Sequence, residues 1–114
     1  MFKIEQITSD PYQKQTLVLT DKTKVKLTLY YMPMQYGWFI KELVYESFTL
    51  NNYRVCNSLN LLHQFRNKLP FGLACISNQN REPMFVQDFS SGFSNLYLLT
   101  SDEVEQVNQV ILNG

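Results

Sequence analysis

The chain has 114 residues, with ten basic and ten acidic side chains and a formal net charge of zero. That length suits one domain, and the charge balance argues against a duplex-binding protein, which concentrates positive charge to release counterions from phosphates. Val, Ile, Thr, Tyr, Phe and Trp fill 36 positions and Ala only Ala74, a choice that favours sheet, where branched and aromatic side chains pack well.

Residues 2–7 alternate loosely, Phe2 and Ile4 against Lys3 and Glu5, and read as a first strand. Ser9-Asp10-Pro11 breaks it, because proline lacks a donor and restricts the residue before it. A second strand covers 13–20, with Leu17 and Leu19 inward, and Asp21-Lys22-Thr23 turns the chain. The clearest pattern spans 24–32: Val25, Leu27, Leu29 and Tyr31 share one face, Lys24, Lys26, Thr28 and Tyr30 the other. A period of two predicts a strand with one buried face, paired with its predecessor in a hairpin. Lys22, Lys24 and Lys26 then belong to a solvated face. Pro33 to Gly37 is a loop, and Trp38 to Tyr45 a fourth strand. Its faces read as Trp38, Ile40 and Val44 against Phe39, Leu43 and Tyr45. Both are largely apolar, so the strand is central or its second face meets a partner. Phe48 to Val55 reads as a tight hairpin around Asn51-Asn52, since asparagine tolerates positive φ.

Ser58 predicts the cap of a short helix reaching Arg66, with Leu59, Leu62 and Phe65 on one face. Pro70 ends that segment, 71–77 form a strand, Asn78-Gln79-Asn80 a turn, and Met84 to Val86 a brief extension. Phe89 to Asn95 is a loop and Leu96 to Leu99 a last strand. Thr100-Ser101-Asp102-Glu103 has the form of a capping box, followed by Val104, Val107 and Ile111 at helical spacing. The expectation is a mostly β chain, one β-rich domain over 1–114. It would be a small antiparallel β-barrel or sandwich with a short mid-chain helix and a C-terminal helix.

Catalytic signals are thin. His63 is the one histidine, and with Cys56 and Cys75 it would supply three ligands without paired spacing, so no metal and no cofactor is expected. There is no GxSxG elbow and no phosphate-cradling glycine pattern. Glu42 and Glu46 read as surface charge, Asp102 and Glu103 as a helix start. No enzyme is expected. Cys56 and Cys75 read as free thiols of a reducing compartment, with a disulfide between them as the alternative. No apolar run of about 20 residues predicts a membrane span, and the first residues lack a signal-peptide pattern. Synthesis in a cytoplasm is expected.

The aromatic load is high, at 14%. Tyr12, Tyr30, Tyr36, Tyr53, Phe71, Phe89 and Phe93 fall in or beside predicted loops or wetter faces. As a group they suggest a docking surface, because aromatic side chains bury large area at little entropic cost. Tyr30, Tyr36, Tyr53, Phe71 and Phe93 are the candidate partner-binding residues.

The order of segments carries a resemblance. A short N-terminal strand precedes Lys24-Val25-Lys26-Leu27-Thr28-Leu29-Tyr30-Tyr31, and a loop leads into Gly37-Trp38-Phe39-Ile40. Then come a tight hairpin, Leu61-Leu62-His63-Gln64-Phe65, a strand, Asp88-Phe89, and Leu96-Tyr97-Leu98-Leu99-Thr100 before an acidic helix start. Across nearly the whole chain this resembles the small baseplate plug protein family of contractile-tailed bacteriophages, typified by a cyanophage member. The resemblance implies a virion structural protein of the tail baseplate, made in the host cytoplasm. It would plug or bridge the central hub and spike through contacts with hub, spike or tube proteins. It implies no catalytic residues; a homo-oligomer is a separate expectation, drawn by analogy with the threefold symmetry of tail spikes. The competing expectation is a ligand- or nucleic-acid-binding β-barrel whose surface is Lys22, Lys24 and Lys26 interleaved with Tyr30.

Overall fold

The alternation at 24–32 forms the strand on which the larger sheet is built. In the computed structural model, which describes residues 1–113, β1 is Phe2–Lys3, β2 Tyr12–Val18, β3 Lys24–Met32, β4 Gly37–Tyr45 and β5 Phe48–Arg54. β6 is Gly72–Ser77, β7 Ser94–Leu99, and α1, the α-helix among the described residues, Ser101–Asn113. One antiparallel sheet has the order β2-β3-β4-β5 and the other β1-β7-β6. The fold is thus mostly β and sandwich-like, without a closed barrel.

The core lies between the sheets. Val25, Leu27 and Leu29 of β3 and Trp38, Ile40 and Leu43 of β4 meet Leu73 and Cys75 of β6 and Leu96 and Leu98 of β7. β7 also alternates, and its second face carries Tyr97 and Leu99. With Ala74 these pack against Val104 and Val107 of α1, making a third layer. The predicted capping box forms: the Thr100 N–H donates to Glu103 Oε1 (2.9 Å) and the Glu103 N–H to Thr100 Oγ1 (3.3 Å). Ile111, expected on the buried stripe, is exposed.

Four expectations need correction. The mid-chain helix is only a 3-10 turn, His63–Phe65. Ser58 does not cap a helix; its N–H and C=O exchange bonds of 3.0 Å with the C=O and N–H of Cys75. The fifth strand is not a hairpin around Asn51-Asn52. It is one strand, entered through the Glu46-Ser47 loop with Glu46 at φ 51°. The first strand is cut to two residues because the chain after Ile4 crosses to the other sheet. That crossing is held by Gln13, whose Nε2 donates to the C=O of Thr8 and Asp10 (2.9 Å each).

Met84 to Val86 also do not extend as a strand. They belong to a turn that closes one end of the sandwich. The Tyr31 hydroxyl donates to Met84 O (2.6 Å) and Trp38 Nε1 to Phe85 O (3.2 Å). Asp88, buried, accepts from Arg81 Nη1 and Nη2 (3.2 and 3.1 Å) and from the N–H of Met84 and Phe85 (2.9 Å each). Burial would raise its carboxyl, but the Arg81 and backbone hydrogen bonds outweigh that and hold it below the usual range.

Candidate docking surface

Strand alternation places Tyr12, Lys14, Thr16 and Val18 of β2 and Lys24, Lys26, Thr28 and Tyr30 of β3 on the outer face of the larger sheet. β4 would continue the alternation, but its register with β3 shifts between Thr28 and Leu29, leaving Lys41 unopposed. A bulge adds one residue, so phase reverses beyond it. Leu43 therefore points inward, fully buried, and Val44 faces out, contrary to the uninterrupted reading. On β5 the residue beside the bulge, Asn52, takes φ 56°, a conformation asparagine tolerates.

The register aligns Tyr12, Tyr30, Phe39 and Arg54 in one row across four strands. Tyr12 and Tyr30 meet edge to face, with centroids 6.3 Å apart. Lys41 Nζ lies 5.0 Å from the Tyr12 ring centre and 5.5 Å from that of Tyr30. The Arg54 guanidinium lies 5.4 Å from the centre of Phe39. Arg54 also donates to the C=O of Gln35 and Tyr36 (3.3 and 3.2 Å), fixing the β3–β4 loop, whose tip exposes Met34 and Tyr36. Lys14, Lys24 and Lys26 surround the row, and Glu42 is the acidic side chain among them. A chain without net charge thus presents one basic, ring-bearing face.

Of the candidate partner-binding residues, Tyr30 and Tyr36 belong to this face or its flanking loop. Tyr53 does not: it pairs with inward-facing Ile40 and packs on Phe65, with centroids 6.2 Å apart. Phe71 is a core residue, 1% exposed and edge-on to Tyr45, and lies away from this face. Phe93 lies in the end-closing segment beneath Arg81, whose guanidinium is 3.9 Å from its ring centre. Phe39, Lys41 and Arg54 also belong to this face, which the alternation of the sequence does not reveal. Cross-strand register unites them, and the bulge hides that register from simple alternation.

His63 is half-buried, and its buried Nδ1 has no hydrogen-bond partner. Cys56 and Cys75 are free thiols. Burial, reinforced by the Glu82 charge, pushes the Cys75 thiol up to about 12. Among the described residues no group of three His, Cys, Asp or Glu side chains could hold a metal, and no helix is long and apolar enough to cross a membrane. No known family model matches the chain, and no curated protein matches it.

Proposed function

We propose that the chain is a structural docking protein of a contractile phage tail baseplate, which engages an acidic surface on a neighbouring hub, spike or tube protein. The segregation of Lys14, Lys24, Lys26, Lys41 and Arg54 around the Tyr12–Tyr30–Phe39 row carries this reading. Arg and aromatic residues are enriched at the centres of interfaces. A complementary charge accelerates encounter and fixes register. The order of segments along the chain supports the tail setting, and the location that follows is the virion.

The same face supports a second reading, as a platform for single-stranded nucleic acid. Two observations weigh against it. Lys41 and Arg54 already cover the ring faces, and Tyr12 and Tyr30 stand 73° apart and so offer no common stacking plane.

Co-expression with hub, spike and tube proteins, followed by light-scattering measurement of the complex, tests the proposal. The native chain should give a complex of fixed stoichiometry that weakens with salt, and Lys14→Glu/Lys41→Glu should lose it while melting normally. Absence of any complex across these partners refutes the docking role. Retention of a single-stranded oligonucleotide on filters at low salt would instead select the second reading.

A further inference from the structure

The two sheets are joined along one side only. Beyond β5, the Val55 N–H donates to Trp38 O (2.8 Å), Ser58 exchanges two bonds with Cys75, and the Leu61 N–H reaches Leu73 O (2.6 Å). The strands therefore follow one another as β2-β3-β4-β5, the 55–61 segment, then β6-β7-β1. On the remaining side the edges of β1 and β2 face each other without a ladder. At one end the gap is spanned by a side chain, Gln15 Nε2 donating to Gln6 O (3.1 Å). Ladder neighbours lie about 4.8 Å apart and need no such bridge. From there the gap widens into two adjoining clefts of about 340 and 460 Å³ that share Phe2, Val18 and Leu98. Leu19, Pro70 and the buried Phe71 line the larger one. Phe2 and Val18 on the shared rim are 56% and 57% exposed, and Lys3, Glu5, Gln6 and Thr16 line the smaller cleft.

Such an arrangement is costly without an occupant. Two strand edges flank a cleft whose larger part has an apolar floor; natural sheets usually blunt such edges with charge, proline or a covering segment, and Lys3 and Glu5 supply charge only beside the smaller cleft. We infer that the split between β1 and β2 is a strand-insertion site, which takes one extended partner segment, apolar on alternate residues, as the strand that joins the two sheets.

The geometry selects the occupant. Residues 2–6 and 15–18 run antiparallel across the split, as the Gln6–Gln15 bridge and the shared Phe2–Val18 lining show. An inserted strand is parallel to one edge and antiparallel to the other, and is bonded on both sides. An edge strand of a second folded copy has only one free side and cannot serve. The occupant is an extended tail or linker outside any sheet, held by main-chain bonds with alternate side chains on the Phe2–Leu98–Phe71 floor. A segment of about six residues buries less than the roughly 1,200 Å² of a stable interface. It therefore belongs to a larger contact, of which the split is one part. The inference is independent of the outer face.

The test is a capped peptide of alternating Val and Thr, with a Lys at each end, titrated into the isotope-labelled full chain by NMR. Amide shifts are expected to concentrate at residues 2–6, 16–21 and 98–101. Phe2→Lys/Val18→Lys changes two exposed residues, so it should melt as the native chain does and bind at least tenfold more weakly. Lys14→Glu/Lys41→Glu should bind the peptide unchanged, which separates this site from the docking face. An alternating Ser-Thr peptide should bind at least tenfold more weakly. No binding, equal binding of the Ser-Thr peptide, equal binding by the Phe2/Val18 variant, or shifts centred on β5 would each overturn the inference.

Discussion

Replacing Asp88 with Asn tests whether one carboxylate holds the end-closing turn. Oδ2 accepts from Met84 N–H, Phe85 N–H and Arg81 Nη1, and Oδ1 from Arg81 Nη2. In Asp88→Asn the amide oxygen can keep the Oδ2 position, which places the NH2 group against Arg81 Nη2. One charge-assisted bond is lost, two donors then face each other, and the remaining bonds no longer have an ionised acceptor. A hydrogen bond to a charged group contributes about 1.5–3 kcal/mol. Arg81 is partly open to solvent, which screens its share. The expected loss is about 2–3 kcal/mol, a fall in Tm of roughly 8–15 °C for a chain this size. The difference also depends on pH. The folded carboxyl lies below its usual range, so its contribution is complete above the unfolded value of about 3.9 and disappears as pH falls through the folded value. Urea unfolding of both proteins from pH 7 to pH 3 reads this directly. The gap should hold constant down to about pH 5 and narrow below about pH 4. A variant as stable as the native chain, or a gap that does not change between pH 6 and 3, refutes the account.

Thr100→Ala removes the oxygen that accepts the Glu103 N–H and should cost about 1 kcal/mol, visible as a lower Tm in a thermal melt. Gly72→Ala would put a Cβ 2.6 Å from Asn60 Oδ1, the buried acceptor of the Leu62 and Leu73 N–H groups. Displacing that oxygen should cost about 1–3 kcal/mol, and denaturant unfolding with an unchanged midpoint would disprove it. At pH 8 a thiol reagent should modify half-buried Cys56 ahead of Cys75, whose burial keeps it protonated; peptide mapping of the first adduct decides the order.

Much of the fold could be read where one face is buried and one is wet. The strand at 24–32 has the bounds its alternation gives, and the box at Thr100–Glu103 forms as spelled. Reading failed where local preference competed with long-range pairing. Asn51-Asn52 carries a hairpin signal, yet Leu50 and Tyr53 pack inward against the core and keep the chain extended, and the reversal moves to Glu46-Ser47. Ser58 to Arg66 has helical spacing, but the backbone of Ser58 and Leu61 is drawn to β6, leaving one 3-10 turn. Phe71 follows a proline at the start of the expected 71–77 strand, beside a loop, and only the tertiary fold places it under Tyr45.

The basic outer face shows why register matters more than residue type. Without the bulge at Lys41, Leu43 would face solvent and Val44 the core, and Lys41 would continue the alternation without its extra backbone residue. With the bulge, one added residue buries Leu43 and leaves Lys41 over Tyr12 and Tyr30. Bulges are favoured where a side chain must be re-aimed next to a working site. Deleting Lys41 should therefore do more than remove a charge. It would keep Ile40, Glu42 and Leu43 opposite Leu29, Thr28 and Leu27 of β3 and move the mismatch to β5, where Asn52 would lose the residue level with it. Lys41→Ala keeps the bulge and loses only the cation. It should fold normally and dock weakly, whereas the deletion should lose stability first. If both melt alike, the β4–β5 ladder tolerates the loss of the residue level with Asn52, and the account fails.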